Sequence, residues 1–348
     1  MNATIIIPFH RDLSQLGQSL PAARRSLPDA EIIVAADGAV DDCRPLATAC
    51  GACVIDVPGP SGPAVARNRA SRIASGGILL FVDADVIAAP DALAGMFRML
   101  EQTSSIAAVF GAYDLSPPQP NFMSQYKNLS HAYVHETGNQ EAATFWAGLG
   151  AIRADAFRAV GGFDERFTRP SVEDIDLGYR MRRAGYRIRL DPQFRGRHLK
   201  RWTLWSSIVI DIRARGVPWA QLIHRYQALA NDLNTRFELR LSVLLSYLFV
   251  AFAGAAVFLP MAPLGALASL AALVALNFRY YRWFARQRGA GFALRVIPAH
   301  ILHHLGNGIS FVAGTALHLF GRWGFRLPGA LPTAEWNTTP VASIEGPR

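Results

Sequence analysis

Ile78-Leu79-Leu80-Phe81-Val82-Asp83-Ala84-Asp85 is the stretch that decides how this chain is read. Five consecutive apolar residues, rich in branched and aromatic side chains, predict a strand buried on both faces. Two carboxylates follow, separated by one alanine. Carboxylates cannot enter an apolar core without a counter-charge, so Asp83 and Asp85 must open onto a site at the strand's end. A divalent cation is their natural partner, because hard Mg²⁺ or Mn²⁺ takes oxygen ligands and bridges phosphates.

The same pattern recurs upstream. Ile5-Ile6-Ile7 is a short strand stopped at Pro8, and a helix is expected around Leu13–Leu27. Ile32-Ile33-Val34 runs into Asp37-Gly38, Val54–Val57 gives a third strand, and Ala64–Ser75 a helix before Ile78. Apolar strands alternating with helices predict an α/β fold, a mostly parallel sheet covered on both faces. Ligands bind such sheets at the carboxyl ends of the strands, which is where Asp37, Asp83 and Asp85 fall.

The chain has 348 residues, enough for roughly two units at about 150 residues each. Only 18% are charged and the mean hydropathy is +0.17, which excludes an intrinsically disordered chain and raises the question of a membrane. Net charge is uneven: −5 over residues 1–152, +8 over 153–240 and +6 over 241–348. The positive charge adjoins long apolar runs, so the expected partner is a membrane surface and not nucleic acid. Cys43, Cys50 and Cys53 give no closed disulfide framework and no second ligand pair for zinc, which suits a reducing compartment. The opening apolar run is too short for a signal peptide and lacks a basic flank, so the N-terminal part is expected on the cytoplasmic side.

Residues 241–278 hold no charged side chain, a run of 38 divided by Pro260-Met261-Ala262-Pro263. A helix needs about 20 residues to cross the hydrocarbon, so this run predicts a hairpin of two slightly short spans. Residues 296–321 form a second uncharged run, though one carrying His300, His303, His304 and His318. About three spans are thus expected over 241–321, followed by a tail at 322–348. The five arginines between the runs, Arg279 to Arg295, place that loop in the cytoplasm. Trp205, Trp219, Tyr226, Arg213, Arg215 and Arg225 interleave with aliphatics before the first run. That predicts amphipathic helices over 204–240, lying in the headgroup layer or packed on the preceding domain.

Glu173-Asp174-Ile175-Asp176 crowds three acids at a helix start, more than capping requires. A carboxylate there can act as a general base. Arg67 follows the loop Gly59-Pro60-Ser61-Gly62-Pro63 into a helix start, a place that favours phosphate.

Six segments in this order resemble the family 2 glycosyltransferases: Ile5-Ile6-Ile7-Pro8, Asp37-Gly38, Ala66-Arg67-Asn68-Arg69-Ala70, Asp83-Ala84-Asp85, Gly161-Gly162-Phe163-Asp164-Glu165, and Glu173-Asp174-Ile175-Asp176-Leu177 with Arg180. The resemblance implies a GT-A nucleotide-diphospho-sugar transferase fold over residues 1–203. It also implies inverting transfer from a nucleotide-sugar with Mn²⁺ or Mg²⁺. By the same resemblance Pro8, Phe9, Asp37, Arg67, Asp83, Arg201 and Trp202 would face the donor. Asp83 and Asp85 would hold the metal and Asp174 would be the base, with Glu173 beside it. The family's usual Asp-Asp-Gly-Ser reads Ala36-Asp37-Gly38-Ala39 here, one carboxylate and one hydroxyl fewer. His198-Leu199-Lys200-Arg201-Trp202 resembles the Gln-x-x-Arg-Trp element of processive synthases, with His198 in place of glutamine. That argues against a polymer synthase and leaves His198 as either a metal ligand or a satisfied histidine.

The expected protein is a multi-pass enzyme of the cytoplasmic membrane with its catalytic domain inside, acting on a lipid-linked or other membrane acceptor. The alternative is a non-catalytic nucleotide-sugar-binding membrane regulator.

Overall fold

The computed structural model describes residues 2–38, 40–227, 233, 236–322 and 331; the expected tail lies almost wholly outside these. The first half alternates β1 (Ala3–Phe9), α1 (Leu13–Ser26), β2 (Glu31–Asp37), α2 (Val40–Ala49), β3 (Cys53–Val57), α3 (Pro63–Ile73) and β4 (Ile78–Val82). Then come β5 (Val86–Ala88), α4 (Ala92–Gln102), β6 (Ala108–Tyr113), α5 (Phe122–Glu136), β7 (Leu149–Arg153), α6 (Ala154–Ala159), α7 (Glu173–Arg183) and β8 (Ile188–His198).

One sheet of eight strands runs β3-β2-β1-β4-β7-β6-β8-β5. β3, β2, β1 and β4 are parallel, and β7 is antiparallel to both β4 and β6. Chain order reverses beside β1, which pairs β2 on one edge and β4 on the other. That reversal opens a crevice at the carboxyl ends of β1, β2 and β4, where the strand-end acids lie.

Continuous apolar runs are needed because both faces are covered. Ile5, Ile7, Leu80 and Val82 pack with Leu16, Leu20, Leu93 and Met96 of α1 and α4. Ile6, Leu79 and Phe81, pointing the other way, pack with Ala66, Ala70, Phe157 and Leu177 of α3, α6 and α7. α1 starts where the Asp12 carboxylate accepts the Ser14 and Gln15 N–H groups. The three cysteines are free.

Beyond the sheet, α8 (Leu204–Val209), a wider π-helical turn (Ile210–Gly216) and α9 (Val217–Tyr226) lead to α10 (Phe237–Ala255), α11 (Ala262–Leu276), α12 (Phe278–Arg288) and α13 (Ala290–Arg322). Tyr126 and Leu129 of α5 pack against Tyr280, Phe284 and Val296, fastening the helices to the sheet domain. In the 204–240 segment, Trp219 Nε1 donates to Tyr179 Oη at 3.0 Å and Leu222 is fully buried, while Trp205 stays 73% exposed.

Where three spans are expected, α10 alone among the described helices is long and apolar enough to cross a membrane, with a mean hydropathy of 1.6; α11 and α12 together would make a second. The expected hairpin is interrupted because α11 has only 15 residues and the chain turns by 68° into arginine-rich α12. Asn277 sits at that bend, its amide donating to Ser242 Oγ (2.8 Å) and Leu273 O (3.0 Å). α13 has 33 residues, but its histidines and Asn307 make it more polar than a typical span.

Candidate active site

β4 delivers Asp83 and Asp85 to the crevice through a tight turn. The Asp83 N–H donates to Gly148 O at 3.1 Å and the Val86 N–H to Asp83 O at 2.9 Å. Arg67 on α3 points into the same place. Its Nη2 donates to Asp83 Oδ1 (2.6 Å) and its Nη1 to Glu173 Oε1 (2.9 Å), with the guanidinium 5.3 Å from the Phe163 ring centre. Arg67 Nε is buried without a partner among the described residues. Next to it, the Asn68 side chain holds the backbone N–H and C=O of Phe163 at 2.9 and 2.8 Å, closing the Gly161-Gly162 loop over α3.

The three acids opening α7 have different duties. Glu173 is spent, accepting from Arg67 on one oxygen and from the Ser171 N–H (2.9 Å) on the other. Asp176 is fully buried between Arg180 Nε (2.8 Å) and the Tyr226 hydroxyl (2.7 Å). Among the described residues Asp174 accepts only backbone N–H groups, from Ile175 at 2.8 Å and Ala147 at 3.2 Å. Burial and then the neighbouring Glu173 charge push its carboxyl up to about 7, against the pull of Arg67. A carboxylate of that strength is tuned for proton transfer near neutrality.

Asp85 faces His198 across the β5–β8 pair, Oδ2 to Nε2 3.2 Å. Burial works against the Asp85 charge, but the charge and hydrogen bond of His198, with Lys200, hold it below the usual carboxylate range. His198 Nδ1 meets Asn128 Oδ1 at 2.8 Å, and the Asn128 amide donates to Ser124 O at 2.8 Å. The Asn128 oxygen thus accepts a hydrogen from Nδ1, and the Asp85 carboxylate can accept only from a hydrogen on Nε2, which a bound metal ion would displace. Tyr113 stacks flat on the imidazole at 4.5 Å.

The donor set suits a small hard cation. Ligand atoms adjacent on an octahedral ion lie roughly 3.0 Å apart for bonds of about 2.1 Å, close to the separation of Asp85 Oδ2 and His198 Nε2. Asp83 is raised by burial and by Asp85, the strain a cation would relieve, though Arg67 offsets part of it. Among the described residues no three His, Cys, Asp or Glu side chains form a ready-made ligand cluster, and Asp83 Oδ1 is held by Arg67.

Pro8, Phe9, Asp37, Arg201 and Trp202 are the remaining residues expected at the donor. Phe9 is buried against α1, and Pro8 is half-buried beside it. Asp37 spends its two oxygens on the Ser61 (2.7 Å) and Gly62 (2.9 Å) N–H groups, shaping the loop into α3. Gly59 is required there: a Cβ would fall 2.0 Å from Asp37 Oδ1. Trp202 is buried, its N–H donating to Ser124 Oγ at 2.7 Å, and Arg201 points to solvent. Asn128 and Tyr113 carry no motif signal, since both come from elements with no local signature.

Residues 4–161 match the family model described as glycosyl transferase family 2, and residues 127–201 that of the N-terminal domain of galactosyltransferase. Validoxylamine A glucosyltransferase of Streptomyces hygroscopicus is 26% identical, over 52% of this chain and 51% of that protein. Pre-mycofactocin glycosyltransferase of Mycobacterium tuberculosis is 27% identical, over 55% of this chain and 41% of its own. The chain thus spans about half the length of the curated relatives it matches. A solved mannosyltransferase from Pyrobaculum calidifontis, in complex with GDP-Man and Mn²⁺, shares the fold with a TM-score of 0.52 and 18% identity, covering 92% of this chain and 88% of that one. The two family matches together run from residue 4 to residue 201, across the whole sheet and every side of the crevice. With the sheet order and the sequence of motifs, they show a family 2 glycosyltransferase domain with the GT-A fold over this part of the chain.

Proposed function

We propose that the chain is a divalent-metal-dependent, inverting glycosyltransferase that moves a sugar from a nucleotide-sugar to an acceptor held at the cytoplasmic membrane. Asp83, Asp85 and His198 would hold Mn²⁺ or Mg²⁺, which when bound neutralises the departing diphosphate. Arg67 ties Asp83 to Glu173 and so fixes the donor side of the crevice relative to α7. Asp174 takes the proton of the acceptor hydroxyl as that oxygen attacks the anomeric carbon opposite the leaving group. Attack from that side inverts the centre. The observation that carries this reading is Asp174 itself, the one acid at the start of α7 with no side-chain partner and a carboxyl raised to about 7.

Membrane attachment rests on α10, on the apolar residues exposed at the α10–α11 turn, and on the positive charge of the second half. A soluble acceptor would not call for that arrangement, so a lipid-linked acceptor is the favoured class. Purified full-length protein should release sugar from UDP- or GDP-sugars with Mn²⁺ and stop on chelation. Binding without any turnover would instead make it a nucleotide-sugar-binding membrane regulator.

A further inference from the structure

Lys127, Lys200 and Arg215 converge on one indole. Their charged groups stand 5.6, 4.4 and 5.7 Å from the Trp202 ring centre. They come from α5, from the link after β8 and from the π-helical turn, so the fold assembles them across distant parts of the chain. Trp202 is a fixed platform, with its N–H held by Ser124 and its C=O accepting the Asn121 amide at 2.7 Å. Lys127 is paired with Asp211 at 2.6 Å, an acid shared with His303 at 3.3 Å. Among the described residues, neither Lys200 nor Arg215 has a carboxylate within ion-pair reach.

The cluster lies on the seam between crevice and membrane helices. The Leu199 N–H donates to Asp85 O at 2.8 Å, setting Lys200 beside the metal-side carboxylate. Ser171 Oγ donates to Ala214 O at 2.7 Å, setting Arg215 beside the start of α7. Behind them, Gly216 packs so closely on α13 that an added Cβ would meet Ser310 Oγ at 2.4 Å. Leu204 and Trp205, just past the platform, are exposed apolar surface.

Three cations with two carboxylates beside them, Asp211 and Asp85, leave positive charge that an anion would balance. Phosphate suits the cluster better than a carboxylate, having up to two charges and oxygens to spread over three cations. The donor's diphosphate is accounted for at Asp83 and Asp85. We propose that Lys127, Lys200 and Arg215 form a site for the phosphate of an acceptor carried on an apolar chain, a lipid phosphate whose head group also bears a separate alcohol hydroxyl that reaches Asp174. This rests on reading the crevice as a glycosyl-transfer site.

The test is calorimetry on full-length protein in neutral detergent, with farnesyl phosphate as probe and farnesol as its uncharged control. Phosphatidylglycerol serves as a competing headgroup, and UDP and GDP with Mn²⁺ report the donor side. The double variant Lys200→Gln/Arg215→Gln should lose about tenfold or more in farnesyl phosphate affinity, since each lost contact is a charge-assisted one. Arg215→Gln alone should keep wild-type nucleotide affinity, and Lys200→Arg should stay within about threefold of wild type for the lipid phosphate, which separates loss of the site from loss of the fold. Equal farnesyl phosphate affinity in wild type and double variant would overturn the proposal, as would equal binding of farnesol. Selective loss of UDP and GDP would hand the cluster to the donor. Equal displacement by phosphatidylglycerol would make it a general headgroup site. Absent Mn²⁺-dependent sugar release by wild-type protein would refute the transfer reading while leaving these binding results to stand.

Discussion

Arg67 and Glu173, 106 residues apart in sequence, form an ion pair of 2.9 Å with only 5% and 6% of their side chains exposed. The same guanidinium holds Asp83, so the metal-side strand end and the start of α7 are positioned by one side chain. Breaking such a buried pair from one side leaves an uncompensated charge. Arg67→Ala should cost about 3–5 kcal/mol of stability. Urea unfolding followed by circular dichroism checks this, and a loss below about 1 kcal/mol would contradict a structural role for the pair.

Glu173→Gln removes the second-largest cause of the raised Asp174 carboxyl. The acid limb of the rate profile should therefore move to lower pH while the fold persists. A profile that does not move, measured on sugar release from the donor, would show that Glu173 does not tune Asp174.

In the wild type, kcat/KM should rise with pH through about 7, because the base must be unprotonated to accept a proton. Stability should run the other way. A carboxyl raised above its ordinary value of about 3.9 stabilises the fold when protonated, and that contribution is lost as pH rises toward about 7. Asp174→Asn should flatten that portion of the melting-temperature profile, which differential scanning calorimetry resolves.

Asn128 fixes the imidazole that faces Asp85. Asn128→Leu frees His198 Nδ1 and should weaken Mn²⁺ binding about 10- to 100-fold, the usual effect of removing a partner behind a ligand. Unchanged Mn²⁺ affinity by calorimetry would remove His198 from the ligand set.

Much of the fold and part of the site are legible in the amino-acid sequence. Ile78–Val82 reads as a buried strand because nothing but apolar side chains suits a strand covered on both faces, and the carboxylates after it mark the crevice. Asp174 is legible too, as one of three acids where a helix start needs fewer. The division of labour among those acids is not, since it depends on Arg67, Ser171 and Tyr226 arriving from elsewhere. Asp37 is legible by its position, while its bonds to the Ser61 and Gly62 N–H groups are not, because that loop arrives from beyond the next strand. Of the three expected spans, the described residues hold one helix, or two with the bent pair, for a physical reason as well. Absence of charge over 38 residues says nothing of the bend at Asn277, where buried amide hydrogen bonds stop α11 short.

The central claim is that Asp174 is the general base, and Asp174→Asn tests it most directly. The amide keeps the shape and removes the proton acceptor, and Asn caps a helix nearly as well as Asp. Sugar release or transfer from a radiolabelled nucleotide-sugar with Mn²⁺ should fall by about 10²–10⁴-fold, with donor affinity by calorimetry unchanged. Retention of more than about a third of wild-type turnover would contradict the account, because loss of a general base does not leave that much rate.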